Sequence, residues 1–167
     1  CENVEVIPCL RPPLREAGRN DLAAWDEQSP AFLEAENVFR VGYFAEKPRC
    51  PVNIVHLSAG EGLAIVRMLR QRPDPGPINV ETCTHYLCLD TDTPAGLLGK
   101  VNPPLRAPGV PDQLWQGIKD GLITTVGSDH VPRKRATKSP DIWRATAGFP
   151  GIATLLPLLV SEGWHRR

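Results

Sequence analysis

Three short runs rich in β-branched and apolar residues, at 52–57, 78–82 and 123–128, are set apart by segments with helical spacing. This alternation constrains the fold more than any other feature. Strand–helix–strand order of this kind specifies parallel strands joined by right-handed crossovers, so an α/β fold is predicted. Ser29-Pro30 offers an N-cap and a proline at the first helical position. Phe32, Ala35, Phe39 and Phe44 then carry an approximately helical apolar spacing through residue 46. Ser58-Ala59-Gly60-Glu61 reads as a capping box, with Ser58 at N-cap and Glu61 at N3. It opens a helix through Leu63, Val66 and Leu69 that ends near Arg72, before the stop Pro73-Asp74-Pro75-Gly76-Pro77. Pro111-Asp112 opens another helix with Leu114, Ile118 and Leu122, and a last apolar helix is predicted from about 151 to 162.

The connections are proline-rich. Proline makes up 18 of the 167 residues, against an average near 5%. With prolines at 8, 12 and 13, residues 1–28 are expected to form a long loop. Further loops are expected over 88–111 and, with a basic character, over 131–141. Three or four strands cannot close a barrel of eight. The chain is therefore either a small open α/β domain or the second half of a (β/α) barrel.

A formal net charge of zero gives no reason to expect nucleic acid or an acidic membrane as partner. Arg133, Lys134, Arg135 and Lys138 lack the charge excess and interleaved aromatics of a nucleic-acid patch and read as a solvated loop. No apolar run approaches ~18 residues, so no membrane span is expected, and no signal peptide is visible. The five cysteines are odd in number and form no Cys-x-x-Cys pair. They read as reduced thiols of a cytoplasmic protein. The chain starts on Cys1 and stops at Arg167 in mid-pattern, which suggests a fragment.

Two of the runs end on residues with chemistry. Val52-Asn53-Ile54-Val55 leads into His56, and Ile123-Thr124-Thr125-Val126-Gly127-Ser128 leads into Asp129. The carboxyl ends of parallel strands are where α/β enzymes place their reacting groups. An imidazole is a good ligand for a divalent metal. A carboxylate buried at a strand end needs a metal, an arginine or several N–H donors to stay ionised. The bland alternatives are a hydrogen-bonded histidine under a helix and an aspartate capping a turn. His130 reads as a supporting or structural group, because adjacent strand-end residues point in opposite directions. Glu81, Cys83 and His85 form a cluster that is read as structural rather than as a set of joint ligands. In the stiff segment Lys100-Val101-Asn102-Pro103-Pro104-Leu105-Arg106, Asn102 can offer both an acceptor and a donor to an amide ring. Arg106 either binds a carboxylate or holds the loop by an ion pair, the second being the safer expectation.

Taken together, Asn53-Ile54-Val55-His56-Leu57-Ser58, Glu81-Thr82-Cys83-Thr84-His85-Tyr86-Leu87, Val101-Asn102-Pro103-Pro104-Leu105-Arg106, Thr125-Val126-Gly127-Ser128-Asp129-His130 and Gly148-Phe149-Pro150-Gly151-Ile152 resemble segments of the cyclic amidohydrolases. These are the dihydropyrimidinases or hydantoinases, dihydroorotases and allantoinases. The resemblance covers essentially the whole chain, and Cys1-Glu2-Asn3 is similar to the family segment that follows a metal-binding histidine. It implies a TIM barrel with a small β-sandwich built from the chain ends. This chain would then be a single partial barrel domain over 1–167, roughly strands 6 to 8 with their helices, lacking the N-terminal half and the sandwich.

The resemblance further implies hydrolysis of the amide bond of a cyclic ureide or imide. His56 and Asp129 would be metal ligands, Asp129 also the proton shuttle, and Asn102 a contact to the substrate ring. His130 and Arg106 would stand behind them. The cofactor implied is a divalent metal, zinc by preference, two per complete site. The His-x-His pair, the carboxylated lysine and the strand-5 histidine of the family have no counterpart in this sequence, so the site is expected to be incomplete in this chain. The partner implied is a small cyclic amide, and the full-length protein is expected to be a homo-oligomer. Three departures bear on substrate: Arg133 where dihydroorotases usually carry His, Ala147 near where hydantoinases usually carry Asn, and Ala153 where an acid is frequent. The reading leans to the hydantoinase or dihydropyrimidinase type, with dihydroorotase or allantoinase as alternatives. A non-catalytic scaffold relative and a metal-free α/β binding domain are the competing classes.

Overall fold

The computed structural model describes residues 2–165. Its centre is a three-stranded sheet of β1 (Val52–Ile54), β2 (Ile78–Cys83) and β3 (Thr125–Gly127). The order is β1-β2-β3 and both pairings are parallel. Val52 lies opposite Ile78 and Ile54 opposite Val80, whereas Glu81 lies opposite Thr125 and Cys83 opposite Gly127. β2 thus pairs its first half with one neighbour and its second half with the other. β1 and β3 each pair on one side only among the described residues.

Among the described residues seven α-helices surround the sheet: α1 (Ile7–Glu16), α2 (Leu22–Glu27), α3 (Ala31–Glu46), α4 (Gly60–Arg70), α5 (Thr84–Cys88), α6 (Val110–Lys119) and α7 (Ile152–Leu158). α7 continues into a wider π-type turn over Leu159–Trp164. α3 and α4 pack closely because Gly42 lets the backbone of α3 meet Leu69; a Cβ there would overlap the Leu69 side chain. The core forms where Ile54, Leu57, Val66, Val80, Leu87 and Leu114 meet between sheet and helices. Burial of such side chains is the main stabilising term.

Two expectations are overturned. Residues 7–16 and 22–27 are helical, not loop. In α1, Ile7, Leu10 and Leu14 recur at helical spacing and are half-buried along one face, and Pro8 sits in the first turn, where a missing N–H is tolerated. Pro12 and Pro13 lie inside the helix without ending it. α2 is capped by Asp21, whose carboxylate accepts the Ala24 N–H at 2.7 Å. The second correction concerns Ser58. The N-cap of α4 is Ala59, with no side-chain cap, because the Ser58 hydroxyl is taken by Glu34, to which it donates at 2.7 Å.

The outer face of the last helix carries Ile152, Leu156, Val160 and Trp164, the last 84% exposed. Their spacing of four residues forms one apolar stripe. No helix among the described residues is long and apolar enough to cross a membrane.

Candidate active site at the strand ends

His56 and Asp129 follow the two outer strands, on the carboxyl side of the sheet. Both adopt a left-handed backbone, with φ of 43° at His56 and 41° at Asp129. Among the described residues the one other non-glycine of this kind is Arg49, in the connection before β1. Such a conformation costs on the order of 1–3 kcal/mol and persists only where its surroundings over-determine it. The surroundings do so at both places. Leu57 donates its N–H to Glu81 O at 2.8 Å and its carbonyl accepts from Thr82 Oγ1 at 2.7 Å. Beyond Asp129, Val131 N donates to Phe149 O at 3.2 Å. The backbone of Gly151 lies against Ser128 O so closely that a Cβ there would overlap it.

The electrostatics suit ligation by a neutral imidazole. Burial pushes His56 below its ordinary value of 6.5, and the nearby Asp129 charge opposes that shift without cancelling it. His56 Nδ1 is buried and has no hydrogen-bond partner among the described residues. Cys83, at the end of β2, is pushed up to about 12, first by burial and then by Asp129 and Glu81, so it stays a thiol. His85 is pushed down to about 3 by burial and by His56. It packs edge-on to Phe149, with ring centroids 4.9 Å apart, and neither of its nitrogens has a hydrogen-bond partner among the described residues.

The other candidates take different positions. His130 is exposed, and its Nδ1 accepts the N–H groups of Gly151 and Ile152 at 3.2 and 3.3 Å. It caps the start of α7, and Asp129 beside it belongs to the strand end. Asn102 is exposed beside a cleft of about 240 Å³ shared with Arg11, Trp25, Gln28 and Ser29. Its Oδ1 accepts from the Trp25 indole at 3.2 Å. Among the described residues no hydrogen bond joins Asn102 to His56 or Asp129. Arg106 is buried and ion-paired to Asp26 at 2.6 Å and to Glu34 at 3.3 Å. Sequence reasoning missed Glu34 and Trp25. Glu34 left one trace, an acid inside the apolar stretch Phe32-Leu33-Glu34-Ala35; Trp25 left none.

Among the described residues no three His, Cys, Asp or Glu side chains are grouped so as to hold a metal ion.

No family model matches the chain. Curated relatives do. Over 99% of its length the chain is 35% identical to an allantoinase of Rubrobacter xylanophilus and 30% identical to an L-hydantoinase of Paenarthrobacter aurescens, covering 37% of each. The chain is similar over nearly its whole length to cyclic amidohydrolases of the allantoinase and hydantoinase group. Solved structures of these amidohydrolases superpose on it closely. An L-hydantoinase from Arthrobacter aurescens matches with a TM-score of 0.89 at 29% identity, over 99% of this chain and 37% of that one. A D-hydantoinase from Thermus sp. matches with a TM-score of 0.88 at 27% identity, over 99% of this chain and 38% of that one. The chain thus spans little more than a third of the length of the amidohydrolases it matches.

Proposed function

We propose that this chain is a single partial (β/α) barrel domain, roughly strands 6 to 8 with their helices, of a hydrolase that opens the amide bond of a cyclic ureide or imide of the hydantoin or dihydropyrimidine type. One observation carries the reading: His56 and Asp129 stand at the same end of a parallel sheet, both held in strained left-handed backbone, and the Asp129 charge acts on the His56 ring. The open sides of β1 and β3 fit a sheet that continues beyond both, since parallel sheets rarely leave edges and faces uncovered.

His56 and Asp129 would contribute to holding a divalent cation, zinc by the ligand types present. Two such ions in a complete site supply acidified water and a polarised ring carbonyl. The roles of the chain's own residues follow. His56 stays neutral and keeps a lone pair for ligation. Asp129 accepts the proton of the attacking water as the new C–O bond forms. It then delivers that proton to the ring nitrogen as the C–N bond breaks. Asn102 has its oxygen occupied by Trp25, so its amide N–H groups remain to donate to a ring carbonyl.

A hydantoin ring bearing a ureido substituent is the second reading, favoured by the allantoinases among the relatives. The experiment is Asp129→Asn in the intact protein that contains this chain, assayed on hydantoin, dihydropyrimidine and allantoin. Ring opening is expected to vanish with the thermal transition unchanged. Undiminished turnover of the ring would remove Asp129 from the mechanism.

A further inference from the structure

The buried salt bridge between Glu34 and Arg106 ties together the two loops that carry the candidate site. Glu34 is wholly buried, as is Ser58, and Arg106 is 4% exposed. Both Glu34 oxygens are occupied by Ser58: Oε1 accepts its N–H and Oε2 its hydroxyl, each at 2.7 Å. Oε2 also accepts from Arg106 Nη2 at 3.3 Å. Arg106 Nε donates to the same Ser58 hydroxyl oxygen at 3.0 Å. Its Nη1 donates to Asp26 Oδ1 and to Ser29 O, each at 2.6 Å. Every nitrogen of the guanidinium is used.

The sequence positions give this cluster its meaning. Ser58 lies two residues after His56, and Leu57 between them is held at both backbone groups by β2. Arg106 lies four residues after Asn102. The intervening Pro103 and Pro104 stiffen the segment, Tyr86 OH donates to Pro103 O at 2.8 Å and Trp25 to Val101 O at 3.0 Å. A displacement at Ser58 therefore reaches His56, and a displacement at Arg106 reaches Asn102. Ser58 Oγ receives a hydrogen bond from one end of the pair and gives one to the other. A buried ion pair adds little net stability over an apolar pair of equal volume, so its value lies in the geometry it imposes.

We propose that Glu34 and Arg106 form a positioning latch that sets the His56 loop against the Asn102 loop. The metal and substrate consequences rest on the hydrolase reading; the coupling of the two loops does not. Neither residue touches the reacting atoms.

The test uses the intact protein containing this chain, with Glu34→Gln and Arg106→Lys made separately. Amide hydrogen exchange is followed at 56–58 and at 101–106. Each substitution is expected to speed exchange in both segments, while β2 and α4 stay protected. Metal affinity, read by chelator competition, should fall about tenfold in each, and KM should rise roughly tenfold with a smaller change in kcat. Faster exchange confined to the segment nearest the substitution, or spread evenly over the protein, would overturn the latch. If a single variant does not fold, the apolar pair Glu34→Leu with Arg106→Met removes both charges together. It is expected to fold with the two segments exchanging faster and KM raised; wild-type exchange and KM would again overturn the proposal. Coupled exchange in a protein whose unsubstituted form opens no cyclic amide would sink the hydrolase reading and leave the latch standing.

Discussion

The indole N–H of Trp25 points at the side-chain oxygen of Asn102, 3.2 Å away. Indole nitrogen donates only, so the atom facing it must be the carbonyl oxygen, and the amide nitrogen is turned outward. The orientation of Asn102, the proposed ring contact, is thus set by a buried ring on α2, far away in sequence. Trp25→Phe removes the donor and frees the amide to rotate. In the intact protein KM for a cyclic amide should rise several-fold, with kcat less affected. Denaturant unfolding should show a loss of about 1–3 kcal/mol, from the unpaired carbonyl groups and lost packing. An unchanged KM would mean that the amide orientation does not matter for the ring.

Arg106→Ala strands a buried carboxylate. Glu34 is wholly buried, and desolvation raises its pKa while Arg106 acts in the opposite direction. Removing one partner of such a pair costs about 3–5 kcal/mol. Chemical denaturation of Arg106→Ala should show a loss of that size. Converting Glu34 to Leu in the same protein should recover part of it, because the wholly buried charge is then gone and only the less buried Asp26 is left without its guanidinium partner.

His85 gives the fold a pH dependence of known sign. Its folded value, about 3, lies below the ordinary 6.5, so the unfolded chain binds more protons between these limits. Stability contributed by the neutral ring is fully present above pH 6.5 and is lost progressively as pH falls toward 3. The slope from one such group is at most about 1.4 kcal/mol per pH unit. Denaturation of chelator-treated protein between pH 7 and 4 should show stability falling with acid, and His85→Asn should flatten that dependence. His56 is shifted the same way and adds to the same trend.

Metal retention should separate the ligating residue from the ring contact. In the full-length protein His56→Asn is expected to lower metal content and its resistance to chelators. Asn102→Ala is expected to leave metal content at the wild-type level and to raise KM. Elemental analysis of the two purified variants decides the matter. Equal metal content in both would remove His56 from the ligand set.

Much of the scaffold was legible because it depends on local patterns. Parallel strands at 52–54, 78–83 and 125–127 follow from β-branched runs alternating with helical periods. His56 and Asp129 announced themselves because strand ends are fixed by the same runs. The loop expected over residues 1–28 failed because three prolines outweighed the spacing of Ile7, Leu10 and Leu14, whose half-buried face sustains α1. The capping box at Ser58 failed for a different reason: a carboxylate from α3, invisible to a local pattern, reached the hydroxyl first.

The order of the three strands, of the helices α3, α4, α6 and α7 around them, and the residue types at the strand ends were thus settled by the chain alone, since backbone sterics and side-chain periodicity act within a few residues. Which hydroxyl serves Glu34, which way Asn102 turns and which nitrogen of His130 caps α7 were decided only by folding. Each depends on a partner brought from a distant segment, and at the wholly buried Glu34 an unmet hydrogen bond is too costly to leave open.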